Sequence, residues 1–92
     1  MVKHIVAWTM KPETTAKQKL EMKLRLEALA GKISELRNIE VGIDSGNGTM
    51  SLYSEFASED DLIAYQMNPD HQAVVGFVKP LVAARSVCDY EC

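Results

Sequence analysis

The spacing of apolar residues switches between two periods along this chain, and the order of the switches leaves few folds open. Val2 to Met10 alternates at period two, with Val2, His4, Val6, Trp8 and Met10 on one face and Lys3, Ile5, Ala7 and Thr9 on the other. β-Branched and aromatic residues dominate it, so it reads as a strand with apolar residues on both faces, which Pro12 ends. From Thr15 the period becomes helical. Thr15-Ala16-Lys17-Gln18 fits a capping box, and Met22, Leu26, Leu29 and Ile33 recur at four- and three-residue steps. Leu20, Leu24 and Ala28 widen that stripe, and the helix is expected to reach about Ala30, where Gly31 stops it. The i,i+4 pairs Lys17/Glu21, Glu21/Arg25 and Lys23/Glu27 predict a solvated opposite face.

Period two returns at Ile39-Glu40-Val41-Gly42-Ile43. Asp44-Ser45-Gly46-Asn47-Gly48 is a turn cluster in which Asn47-Gly48 favours a hairpin. Met50, Leu52 and Phe56 follow on one face of a third strand, with Tyr53 on the other. Ser58 caps a second helix, with three acids in its first turn, that runs to about Met67. Asn68-Pro69 restarts a helix, with Asn68 as cap and Pro69 at its first position, carrying Val74, Val75, Phe77 and Val78. Arg85 to Tyr90 reads as a fourth strand. The order is βαββαβ, the ferredoxin-like α+β plan. A four-stranded sheet that is apolar on both faces needs a second protomer to cover it.

Ninety-two residues leave room for one domain, residues 1–92, and exclude a (β/α)₈ barrel. The net charge of −3 argues against a nucleic-acid partner. No apolar run approaches the ~20 residues that a membrane helix needs, so no membrane partner is expected. The first residues lack a secretory pattern, so a cytoplasmic location is expected. Cys88 and Cys92, on one strand, would sit about 13 Å apart. A disulfide needs Cα atoms within roughly 7 Å, so free thiols in a reducing compartment are expected. Cys-x-x-x-Cys without a nearby histidine is a poor zinc site, and two histidines among scattered acids give no facial-triad spacing. No metal or cofactor is expected. Gly46-x-Gly48 is turn chemistry, not a phosphate loop. Residues 1–37 hold eight Lys/Arg and four Glu; residues 38–92 hold two Lys/Arg and nine Asp/Glu. Either each helix has a solvated face of its own sign, or the two halves meet across a homodimer.

Three polar residues are candidates for chemistry. His71 falls in the first turn of the helix that Asn68 caps, where the helix dipole disfavours imidazolium. A neutral ring there could serve as a general base, or could pack and hydrogen-bond to lock the break at Pro69. Tyr65 lies six residues earlier, across the break. Its hydroxyl could orient a carbonyl or a water, or it is a half-buried helix aromatic. His4 shares a strand face with Val6 and Trp8, and is either a hydrogen-bonded core residue or a third member of the set. Val6, Trp8, Met22, Leu26 and Phe77 could line a small apolar ligand pocket or simply fill the core.

Lys3-His4-Ile5-Val6, Ile39-Glu40-Val41-Gly42, Tyr65-x-x-x-Pro69-x-His71, Lys79-Pro80-Leu81 and Asp89-Tyr90 stand in an order and spacing that resembles the stress-responsive A/B barrel domain family, over nearly the whole chain. The resemblance implies a ferredoxin-like protomer whose sheet packs against that of a second one, forming a dimeric α+β barrel. Most members have no assigned reaction. A plant polyketide cyclase of the family, which closes a ring by an aldol step, has histidines matching His4 and His71 and a tyrosine matching Tyr65. It has a further tyrosine in its pocket where this chain has Leu26, so one polar group is missing from that wall. Three readings follow. The first is a homodimer holding a small apolar ligand. The second is a cofactor-free lyase or cyclase using His71 and Tyr65. The third is a haem-degrading or quinol-type monooxygenase, by analogy of fold.

Overall fold

In the computed structural model, which describes all 92 residues, seven main elements follow one another. They are β1 (Val2–Met10), α1 (Ala16–Glu27), β2 (Asn38–Ile43), β3 (Thr49–Phe56), α2 (Glu59–Met67), α3 (Pro69–Val78) and β4 (Val82–Glu91). The strands form one sheet in the order β2-β3-β1-β4, with every neighbouring pair antiparallel. This is the ferredoxin-like βαββαβ fold, with its second helix broken into α2 and α3.

The predicted caps form. Thr15 and Gln18 close a reciprocal capping box, Ser58 accepts from the Asp61 N–H, and Asn68 accepts from the Asp70 N–H at 2.8 Å. α1 ends at Glu27, and its last turn tightens into a 3₁₀ turn over Ala28–Gly31. The stripe of α1 is narrower than expected. Met22, Leu26 and Leu29 are buried, whereas Leu20 and Leu24 are 50% and 57% exposed. They lie beyond the strip that the sheet can cover. Its charged face is not wholly solvated either. Lys23 donates to Glu27 at 2.8 Å and to the Val41 carbonyl at 2.6 Å, and Glu27 accepts the Val41 N–H at 3.1 Å. The pair thereby saturates backbone groups on the outer edge of β2.

The hairpin between β2 and β3 uses a five-residue loop, Asp44–Gly48, rather than a two-residue Asn-Gly turn. The Asp44 carboxylate accepts the N–H groups of Gly46 and Asn47, so only Gly48 takes a left-handed conformation, at φ 70°.

Alternation on β1 turns Val2, His4, Val6, Trp8 and Met10 to the helices, where Val41, Met50, Leu52 and Phe56 join them. Met22, Leu26, Leu29 and Ile33 cover this face, each stabilising the fold by about 1.5–3 kcal/mol through burial. β4 begins at Val82, three residues before the expected start, and pairs only with β1. Its register sets Arg85 opposite Trp8 and Asp89 opposite His4. The other sheet face is mixed, with Lys3, Ile5, Ala7, Tyr53, Cys88 and Tyr90. Cys88 and Cys92 are free and exposed. No helix is long and apolar enough to cross a membrane.

Candidate functional site

The break between α2 and α3 builds one wall of a cavity. Proline disfavours a helical residue before it, and Asn68 is accordingly extended at ψ 134°. The chain turns there, and His71 folds back over Tyr65 with ring centroids 4.3 Å apart. A cavity of about 540 Å³ lies between this wall, β1 and β4, open on one side. Val6, Trp8, Leu26, Leu52, Val75 and Val78 give it apolar surface, and His4, Tyr65, His71 and Arg85 give it polar groups.

His71 Nδ1 lies 3.3 Å from the Gln66 carbonyl. A carbonyl only accepts, so Nδ1 carries the proton and Nε2 keeps a free lone pair. Burial pushes the His71 pKa down, and the charges of His4 and Arg85 push it the same way against the Gln66 hydrogen bond. The helix dipole predicts a neutral ring; burial is the first cause of the downward shift, and Asp70 in the same turn opposes the dipole.

Tyr65 is 1% exposed, not half-buried, and its ring also packs on Phe56 at 5.0 Å. Burial pushes its pKa up to about 12. Near neutral pH it is therefore a hydrogen-bond donor and not a phenolate. No buried side-chain polar atom lacks a partner, and no side chain or carbonyl bonds the Tyr65 hydroxyl, so that group opens to the cavity.

His4 is also buried, and its Nδ1 lies 2.5 Å from Asp89 Oδ1. The carboxylate fixes the tautomer and leaves Nε2 as the free ring nitrogen. The β1–β4 register makes this pair. Asp89 and Arg85 were not singled out as site residues from the sequence, because that register is a long-range property. The available signal was their common parity with Val87 on one strand face.

Val6, Trp8 and Leu26 line the cavity with His4, Tyr65 and His71. Met22 and Phe77 do not. Met22 is fully enclosed in the core, and Phe77 faces α1, where the Arg25 guanidinium stacks 4.1 Å from its ring centroid. No three His, Cys, Asp or Glu side chains converge into a metal-binding group.

The sequence model of the stress responsive A/B barrel domain matches residues 2–92. Among solved structures, the chain is similar to a dimeric protein of unknown function and ferredoxin-like fold from Bacteroides fragilis NCTC 9343. The two are 34% identical over 99% of this chain and 95% of that one, with a TM-score of 0.83. A dimeric ferredoxin-like protein of unknown function from Thermobifida fusca YX is 27% identical over 99% of this chain and 90% of that one, with a TM-score of 0.88. A hydroxynitrile lyase from Passiflora edulis shares the fold at 23% identity and a TM-score of 0.84, over 97% of this chain and 90% of that one. No curated protein matches the chain.

Proposed function

The chain belongs to the stress-responsive A/B barrel domain family, and from that premise we propose that it is a homodimer whose protomer holds a small ligand with an apolar body. The cavity of about 540 Å³ floored by Val6, Trp8, Leu52 and Val78 carries this reading. Its volume lies in the range of small-molecule sites, and a few polar groups converge on an apolar floor, as such sites require. The dimeric state of the Bacteroides and Thermobifida proteins supports the assembly. Light scattering at micromolar concentration is expected to give twice the protomer's 10.2 kDa, and a stable monomer would overturn the assembly.

One observation favours a second reading, in which the site is also an acid–base enzyme of the lyase or cyclase type. His71 and Tyr65 line the same cavity with complementary protonation states. His71 Nε2 would accept a proton from a carbon acid or a hydroxyl. The Tyr65 hydroxyl would donate to the oxygen on which negative charge develops. His4, held by Asp89, supplies a second imidazole beside them. Leu26 adds an apolar side chain to the same lining, and Tyr65 and His71 stand together on the α2–α3 side. The monooxygenase reading rests on fold alone.

A thermal-shift screen of small carbonyl compounds, run on the parent and on His71→Ala, tests both readings. A compound that raises the Tm of the parent supports the ligand site, and no hit at millimolar concentration sinks it. Hits are then held in D₂O and followed by proton NMR. Loss of an α-proton signal with the parent but not with His71→Ala supports the enzyme; equal rates with both sink it.

A further inference from the structure

Residues 38–92 carry nine Asp/Glu and only two Lys/Arg, Lys79 and Arg85. Both of those cations line the cavity, and none of the acids does. A random share of this acidic stretch would have given the cavity wall the opposite sign. Neither cation is spoken for. The ion pairs of the chain are His4–Asp89, Lys23–Glu27 and Arg25–Glu21, so no carboxylate bridges Lys79 or Arg85. Asp89, on the same face of β4 as Arg85, is committed to His4. The two histidines do not supply the missing negative charge, because an imidazole is neutral or cationic.

We infer, resting on the ligand-site reading above, that the cavity selects an anion: Arg85 takes the carboxylate of a ligand whose apolar body lies against Trp8, Val6 and Val78. The register carries the geometry, because Arg85 stands directly opposite Trp8 across the β1–β4 ladder and on the same face. The guanidinium therefore rises beside the apolar floor and not away from it. Its planar fork matches the two oxygens of one carboxylate. A phosphate would bring more charge and a third oxygen, and the wall offers neither a second guanidinium nor a glycine-rich loop. Lys79, at the end of α3, adds a second positive charge to the cavity without a fixed fork. The Arg85 charge also acts on His71, where it favours the neutral ring.

Trp8 is the chain's single tryptophan and part of the cavity wall, so its fluorescence reports occupancy. The test titrates matched acids and primary amides with alkyl or aryl bodies of five to ten carbons, such as 3-phenylpropionate and 3-phenylpropanamide. The whole protein is used, as parent, Arg85→Gln and Arg85→Lys. The parent is expected to bind the acid about tenfold more tightly than the amide, as a charge-assisted pair at an open site would. That preference should weaken with added salt. Arg85→Gln should remove the preference for acid over amide, and Arg85→Lys should fall between. Arg85 is exposed, so these variants should fold, and far-ultraviolet circular dichroism checks it.

Equal binding of acid and amide by the parent would overturn the inference while leaving the ligand site standing. A preference that survives Arg85→Gln would overturn the role of Arg85. Tighter binding of 2-phenylethylphosphonate than of the carboxylate would overturn the carboxylate assignment. If no compound of the panel binds below millimolar concentration, the ligand-site reading falls and the inference with it.

Discussion

The rings of Tyr65 and His71 lie 4.3 Å apart, tilted by 47°, on opposite sides of the helix break at Pro69. That contact covers the imidazole on one face, and the Gln66 carbonyl holds its Nδ1 proton. Removal from water disfavours the charged form, so His71 should titrate below the usual 6.5. As the pH falls through that range, the unfolded chain takes up the proton before the folded one does. The contribution of this group to stability is thus present above about pH 6.5 and is lost toward acid. Proton NMR of the imidazole should give a midpoint below 6.5. His71→Gln should flatten part of the loss in urea midpoint between pH 7 and pH 5. An unchanged pH slope in that variant would remove the depressed pKa.

Tyr65 separates the hydroxyl from the ring energetically. Its ring fills the core between Phe56 and His71, whereas its hydroxyl has no partner within the chain. Tyr65→Phe should change stability at pH 7 by less than about 0.5 kcal/mol, and Tyr65→Ala should cost about 3–5 kcal/mol. The phenol pKa of about 12 adds a second signature. Above pH 10 the unfolded chain loses this proton first, so stability falls as the pH rises from 10 toward 12. In a phenolate titration followed by ultraviolet absorbance, Tyr65→Phe should lack a step near 12. A Phe variant as unstable as the Ala variant would show that the hydroxyl is structural.

Period and capping were enough to locate β1, α2, α3 and the break at Asn68-Pro69, because those signals are local. The buried stripe on α1 is narrower than its apolar spacing predicts. Leu20 and Leu24 have helical spacing, but the sheet covers only one strip of the helix, and its width is set by tertiary packing. Tyr65, His71 and His4 were legible as candidates, since two stand on the break and one on a strand face of known parity. Phe77 lies against Arg25 and not in the cavity, because a helical wheel does not say which neighbour a half-buried position meets. Arg85 and Asp89 depend on the register of β4 against β1, which pairs residues more than 70 positions apart and has no local trace.

Two glycines should respond to alanine with opposite signs. Gly48 sits at φ 70° with open space around its Cα, so only backbone strain opposes a side chain. Gly48→Ala should cost about 1–2 kcal/mol. Gly76 lies inside α3, also with open space, where alanine loses less conformational freedom on folding. Gly76→Ala should stabilise by about 0.5–1 kcal/mol. Urea denaturation of the two variants decides the point, and shifts of the same sign would contradict the backbone account of the hairpin.

The clamp on β2 makes a prediction that spans stability and solubility. Glu27 accepts from Lys23 and from the Val41 N–H, while Lys23 reaches the Val41 carbonyl. The Lys23 hydrogen bond, with help from the Val41 N–H and against burial, holds the Glu27 carboxyl below its usual 4.5. Its stabilising contribution is therefore present above about pH 4.5 and lost as the pH falls through the lowered value. Glu27→Ala should cost about 1.5 kcal/mol at pH 7, the scale of a hydrogen bond to a charged group. It also frees the outer edge of β2 to pair with another chain. The Val41 amide should then exchange with deuterium faster than in the parent, and light scattering should rise on storage. An unchanged Val41 exchange rate would mean that the clamp protects nothing.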